Sequence, residues 1–392
     1  MPDVSPSNTG LETKVEVNSA WTIASVVVAS GVALFALYTG PLLLGEYMSR
    51  LAISESQAGF IISMEMAGLT LGSVIFFAIS HLNWRRILTV SLLLMVAANV
   101  ALLVVEHLPA FVGCRFIAGL GSGMVMTLTI QVVGMMRDPD RIYGMWTLGQ
   151  LALGTLGLLL FPTVIESGSL NTVFVIWALM AFILLPSIRF YPCARVVDAS
   201  TTSSQAGRRR LILGMLCLGG LFVYYGGQAG VWVFLERLGV SWGIAGDSVA
   251  QILFLSLLAA IAGAVVAIFL GHSLGRVLPL SISMGLSATS ILFLIFSSGV
   301  SMFTFAACLF NFAWYLFLPY MSAIVAVLDQ NGRLLTGLAV TFPAGLAAGP
   351  AVAALLIGSS ESLLACLVYG LLSVPIGLAL ILPGARFRAS QS

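Results

Sequence analysis

Long apolar runs alternate with short polar connections along this chain, and the runs occupy most of its length. A bilayer core needs about 20 apolar residues per helix, because each residue rises only ~1.5 Å and every backbone amide must be satisfied inside its own segment. That requirement predicts twelve spans, over 21–44, 57–80, 87–105, 110–136, 142–165, 170–188, 211–235, 246–270, 277–298, 301–328, 334–357 and 362–383. The composition agrees: 59% of residues are hydrophobic, 8% are charged and the mean hydropathy is +1.07. Water does not keep a soluble domain of that composition dispersed. The chain reads as an all-α polytopic membrane protein with a lipid bilayer as its surroundings.

Basic residues set the expected orientation, since short loops rich in Lys and Arg stay on the cytoplasmic side. With the amino terminus inside, the inner segments collect Lys14, Arg85, Arg86, Arg137, Arg141, Arg189, Arg195, Arg208, Arg209, Arg210, Arg276, Arg333, Arg386 and Arg388, while the outer loops hold only Arg50 and Arg237. An even number of spans then puts both termini in the cytoplasm. Residues 1–20 form a polar cytoplasmic tail, because the apolar run behind them is too long for the hydrophobic region of a cleavable signal. A second short tail covers 384–392. The five cysteines, Cys114, Cys193, Cys217, Cys308 and Cys366, stand singly without metal-type spacing and read as small packing residues.

The longest connection, 189–210, contains Ser200 to Gly207 and then Arg208, Arg209 and Arg210, and it has too few apolar residues to bury a core. It divides the spans into an N-terminal bundle of six, 21–188, and a C-terminal bundle of six, 211–383. The halves repeat weakly. A shift of 191 positions superposes Gly72 on Gly263, Val74 on Val265, His81 on His272 and Arg85 on Arg276.

Two local patterns give this architecture a family resemblance. Arg115-Phe116-Ile117-Ala118-Gly119-Leu120-Gly121-Ser122-Gly123 matches the Arg-x-x-x-Gly-x-Gly pattern of the fourth helix of the major facilitator superfamily (MFS), and His81-Leu82-Asn83-Trp84-Arg85-Arg86 keeps the terminal arginines of its loop between helices two and three. The chain therefore resembles an MFS secondary transporter from about Trp21 to Leu382. The resemblance implies two pseudo-symmetric six-helix bundles that rock about a midplane site. It also implies a cytoplasmic gate at His81, Arg85, Arg86, His272 and Arg276, with both histidines standing where the family has an acid. The fifth helix carries Gly149, Gly154 and Gly157 before Pro162 but lacks the Gly-Pro step common in the family's antiporters, which tilts the reading away from drug export.

A guanidinium inside a span costs at least ~2.5–3.5 kcal/mol, so Arg115 must face protein and find a partner. Glu65 is the acid set well inside a predicted span and at a similar depth. A carboxylate there is raised in pKa by desolvation and lowered by the cation, which suits it to proton coupling. Their pairing is expected in a dry crevice between the bundles. The family resemblance also assigns helices one, four, seven and ten to the central cavity. Their mid-span polar and aromatic residues are Tyr38; Thr127 and Gln131; Tyr224, Tyr225, Gln228 and Trp232; and Asn311, Trp314 and Tyr315. Such a lining suits a small organic solute with apolar area and several polar groups. A monocarboxylate is the other expectation, with Arg115 as its counter-ion.

Lys14 is the only lysine, so the chain has no Walker loop for ATP. Nothing in the sequence supplies a metal centre, a cofactor motif or a catalytic nucleophile, and the scattered arginines reflect topology rather than nucleic-acid binding. The leading expectation is a monomeric, proton-coupled symporter of a small organic solute in the bacterial inner membrane. Proton-antiport efflux of amphipathic compounds is the alternative, followed by a facilitated uniporter or a non-transporting sensor.

Overall fold

The computed structural model describes residues 17–193 and 207–387, apart from 138, 271–274, 297–298 and 330–332. Twelve helices among these residues are long and apolar enough to cross a membrane. They are α1 (Ala20–Leu51), α2 (Glu55–Ile79), α3 (Trp84–Ala101), α4 (Leu108–Val133), α5 (Pro139–Ser167), α6 (Leu170–Ile183), α7 (Arg208–Ser241), α8 (Gly246–Leu270), α9 (Val277–Ile295), α10 (Val300–Leu328), α11 (Arg333–Ser360) and α12 (Leu364–Ala385). No strand occurs among the described residues. The fold is the all-α, twelve-span architecture of the resemblance.

Each expected span coincides with one helix, and the differences are local. Helix α6 gives way to a 3₁₀ segment, Leu185–Phe190, because Pro186 lacks the N–H that the next α-helical turn needs. Helices α1 and α7 run past the apolar windows at their C-terminal ends. Hydropathy falls there because of Glu46, Arg50, Glu236 and Arg237, but these are good helix formers, so the fall marks a membrane surface and not a helix end. Both arginines are held by hydrogen bonds. Arg50 donates to Asn171 Oδ1 at 2.6 Å and to the Leu102 carbonyl at 2.8 Å, and Arg237 donates to both oxygens of Glu236 at 2.6 and 2.8 Å.

Helices α1–α6 pack mainly on one another, as do α7–α12, and the two sets repeat the same pairings: α2 with α4 and α8 with α10, α1 with α5 and α7 with α11, α3 with α6 and α9 with α12. The repeat is visible at single residues. A Cβ on Gly72 would lie 2.1 Å from the Leu120 carbonyl oxygen on α4, and one on its counterpart Gly263 would lie 2.3 Å from the Phe312 carbonyl oxygen on α10. The α2–α4 seam is tighter than that of α8–α10. Gly68, Gly119 and Gly123 also press their helix against a facing carbonyl, those of Phe116, Glu65 and Leu69. Small residues permit this approach, and dispersion between backbones rewards it where lipid supplies no hydrophobic drive.

Helices α3, α6, α9 and α12 carry many exposed apolar side chains, including Leu93, Val100, Leu179, Phe182, Ile282, Leu292, Val368 and Leu372. Water would penalise this surface, whereas acyl chains are its natural solvent. The two sets of six meet along α2–α11, α5–α8 and α1–α7. Ser56 Oγ donates to the Ala354 carbonyl at 2.8 Å, Ser63 Oγ to the Ala347 carbonyl at 2.6 Å, and Trp232 Nε1 to the Leu37 carbonyl at 2.9 Å. Phe234 of α7 also presses on Gly59 of α2. The links from Ser56, Gly59 and Trp232 lie toward the face remote from the termini.

Candidate functional site

Glu65 lies ten residues past Glu55, about 15 Å along α2, and Arg115 lies seven residues past Leu108, about 10 Å along α4. Both helices start at the same face, so the charges sit at similar depth, and Glu65 and Arg115 form an ion pair. Arg115 Nη2 donates to Glu65 Oε1, and Nε donates to Glu65 Oε2 at 3.2 Å. The third nitrogen, Nη1, donates to Asn99 Oδ1 on α3 at 3.3 Å, and Asn99 is itself anchored by Nδ2 donating to the Met95 carbonyl at 2.8 Å. The guanidinium plane covers Trp177 of α6, 4.6 Å from the ring centroid. Arg115 is 0% exposed and Glu65 is 4% exposed.

This site corrects two sequence-based expectations. The pair does not lie between the bundles. It lies within the first six helices, across the α2–α4 seam, because Gly119 brings α4 against the backbone of Glu65 itself. Nor can Arg115 serve as counter-ion to a carboxylate in a central cavity, since each of its three nitrogens already has a protein acceptor. Beside the pair is a cavity of about 20 Å³ lined by α1, α2, α3, α4 and α6, with Glu65, Asn99, Arg115, Ser122 and Trp177 in its wall. That volume holds a water molecule and excludes an organic solute. Asn99 and Trp177 did not stand out in the sequence, although an amide in the middle of an apolar span is a signal that could have found Asn99.

A second polar group crosses the molecule. Tyr315 Oη of α10 donates to Tyr38 Oη of α1 at 3.0 Å, and Tyr38 donates to Gln150 Oε1 of α5 at 3.3 Å. The chain thus joins the second set of helices to the first. Tyr225 packs against Trp314, Phe317 and Phe342, with ring centroids 4.9–5.9 Å apart. Gln228 is 0% exposed, and neither end of its carboxamide has a hydrogen-bond partner; Gln150 is 3% exposed, and its Nε2 also lacks one. Gln150 was not among the expected cavity residues.

The other expected lining residues are turned elsewhere. Tyr224 shares a hydrogen bond with Ser287 of α9 at 2.7 Å, and Asn311 Nδ2 donates to Ser256 of α8 at 3.0 Å, so both serve the interior of the second set. Thr127 bonds back to the Gly123 carbonyl of its own helix, while Gln131 is half-buried one turn further on. Trp232 is held by the α1 backbone through its indole N–H.

Behind the loop that follows α2, the first residue of α3, Trp84, is buried and donates to the Ser80 carbonyl at 2.7 Å. Arg85 donates to the Tyr191 and Arg189 carbonyls at 2.8 and 3.0 Å, which ties this loop to the segment after α6 in the same set of helices. His81 and Arg86 are exposed. Arg276 precedes α9, and His272 lies outside the described residues.

Twelve spans, a doubled pairing pattern and a buried ion pair beside Arg-x-x-x-Gly-x-Gly define a multi-pass membrane transporter. A family model for the Major Facilitator Superfamily matches residues 22–220. The match covers half of the chain and includes both local patterns, and the protein belongs to this superfamily. No match is found among curated proteins. Members of the family move small solutes across a bilayer rather than transform them, so this protein is a secondary transporter.

Proposed function

We propose that the protein couples uptake of a small organic solute to inward proton flow, in a bacterial inner membrane and with both termini in the cytoplasm. Glu65 carries the proton and Arg115 sets the energy of its charged form. The observation that carries this reading is a carboxylate paired with a guanidinium at bilayer depth, beside a cavity of water size. When a proton adds to Glu65, Arg115 keeps its charge, held by Asn99 Oδ1 and the face of Trp177. The tie between α2 and α4 then weakens. Helix α2 also carries Ser56 and Ser63, whose hydroxyls bond α11, so protonation reaches the seam along which the halves move.

A second reading, a facilitated carrier without ion coupling, draws on one feature: both charges sit in the same set of helices, across a seam that rocking does not open. Reconstituted vesicles separate the two. A solute is first identified by a thermal-shift screen against metabolites, because a ligand of the folded state raises its stability. Its uptake is then measured under an imposed inward proton gradient. Glu65→Gln should abolish accumulation and leave exchange intact. Accumulation equal to that of the unmodified protein would reject Glu65 as the coupling group, and flux indifferent to uncoupler would favour the facilitated carrier.

A further inference from the structure

A buried amide left without a partner loses its hydration and gains nothing in return, so orphaned groups in a packed protein call for an explanation. Gln228 of α7 and Gln150 of α5 are both nine-tenths buried or more, and between them they leave three polar atoms unmatched: Nε2 and Oε1 of Gln228 and Nε2 of Gln150. They come from opposite sets of helices. Gln228 lies one turn before Trp232, and residues four apart share a helix face. Trp232 meets the Leu37 carbonyl of α1 and Tyr224, one turn on the other side, meets Ser287 of α9, so Gln228 lies on the arc of α7 between those two directions. The next residue of α1, Tyr38, is the hydroxyl that holds Gln150 and receives Tyr315. Among the described residues placed here, Tyr38, Gln150, Tyr225, Gln228, Trp314 and Tyr315, none carries a formal charge, and Arg115 is sequestered with Glu65.

We propose that the two glutamine side chains are the recognition edge of the solute site and select an uncharged, planar solute bearing a lactam, imide or carboxamide. This inference rests on the transporter reading but not on proton coupling. A free carboxamide offers a donor and an acceptor side by side, and the edge that satisfies both is another N–H beside a C=O. The second donor, Gln150 Nε2, suits a further carbonyl or ring nitrogen on the solute. Tyr225, one helical turn before Gln228, packs edge to face on Trp314 of α10, and the two rings supply the aromatic surface that favours a ring. With the halves closed on each other, the three unmatched atoms disfavour the empty, packed arrangement. A bound solute removes that penalty.

The test is equilibrium binding to the purified full-length protein in nanodiscs, with no gradient, using 2-pyridone, uracil, N-methyl-2-pyridone and benzoate as probes. The lactams should bind, N-methylation should weaken 2-pyridone by about tenfold through loss of its N–H, and benzoate should not compete. Gln228→Met, which keeps length and loses both polar atoms, should erase the preference for 2-pyridone over its N-methyl form. If that variant does not fold, the ligand pair on the unmodified protein decides alone. Binding of benzoate in preference to the lactams, equal binding of the two pyridones, or no binding of 2-pyridone and uracil would each overturn the proposal. Failure of Glu65→Gln to alter accumulation would leave these binding results untouched, so the two readings fail separately.

Discussion

Arg115→Met is the most informative single perturbation. It leaves Glu65, 4% exposed, without the two N–H donors that now hold its carboxylate. Removing one member of a buried pair costs about 3–5 kcal/mol, most of it the stranded charge. Methionine replaces part of the packing on Trp177, so the loss is chiefly electrostatic. Glu65→Gln combined with Arg115→Met removes both charges and should fall only about 1–2 kcal/mol below the unmodified protein, since a buried pair contributes little net stability over neutral groups of similar volume. The difference, about 2–3 kcal/mol, is what neutralising the stranded carboxylate restores. Thermal unfolding in detergent, followed by reaction of a thiol dye with the buried Cys217 and Cys366, measures it. At roughly 2–4 °C per kcal/mol for a large domain, Arg115→Met should lower Tm by about 6–20 °C, and the double variant should recover most of that. A double variant no more stable than Arg115→Met would refute the ion-pair reasoning.

Two further outcomes follow from helix packing. Gly123→Val should prevent accumulation of folded protein, judged by a monodisperse peak in size-exclusion chromatography, because its Cβ would lie 1.9 Å from the Leu69 carbonyl oxygen; Gly113→Ala, with nothing within 4 Å, should behave as the unmodified protein. Ser56→Cys with Gly358→Cys should form a disulfide across α2 and α11, since a Cβ at Gly358 would lie 3.5 Å from that of Ser56, within the range of disulfide geometry. Oxidation should stop solute exchange and dithiothreitol restore it, and exchange that continues in fully cross-linked protein would reject movement at this seam.

Several features were legible in the chain. The twelve windows land on twelve helices because the bilayer imposes a length and an apolar composition that hydropathy reads directly. Arg115 and Glu65 were matched by depth alone, which a rise of ~1.5 Å per residue is enough to calculate. The repeat of Gly72 in Gly263 also survives as equivalent helix contacts. The composition of the site was less legible. Tyr224, Asn311 and Tyr38 all read as mid-span polar groups, yet Tyr224 and Asn311 bond neighbours inside the second set of helices, while Tyr38 bridges α10 and α5. Helical rotation decides between those fates, and these helices are hydrophobic on every side, so no amphipathic stripe in the sequence records it.

The amino-acid order by itself determined the membrane as solvent, the number of crossings and the need of Arg115 for a partner, because each of these depends on local composition or on distance along one helix. Only the tertiary structure decided that Arg115 is enclosed with Asn99, Trp177 and Glu65 inside one set of helices, and that Gln150 and Gln228 are left with unmatched amide atoms. Those outcomes depend on which faces of neighbouring helices meet, and glycines such as Gly119 set that by allowing one backbone to rest on another.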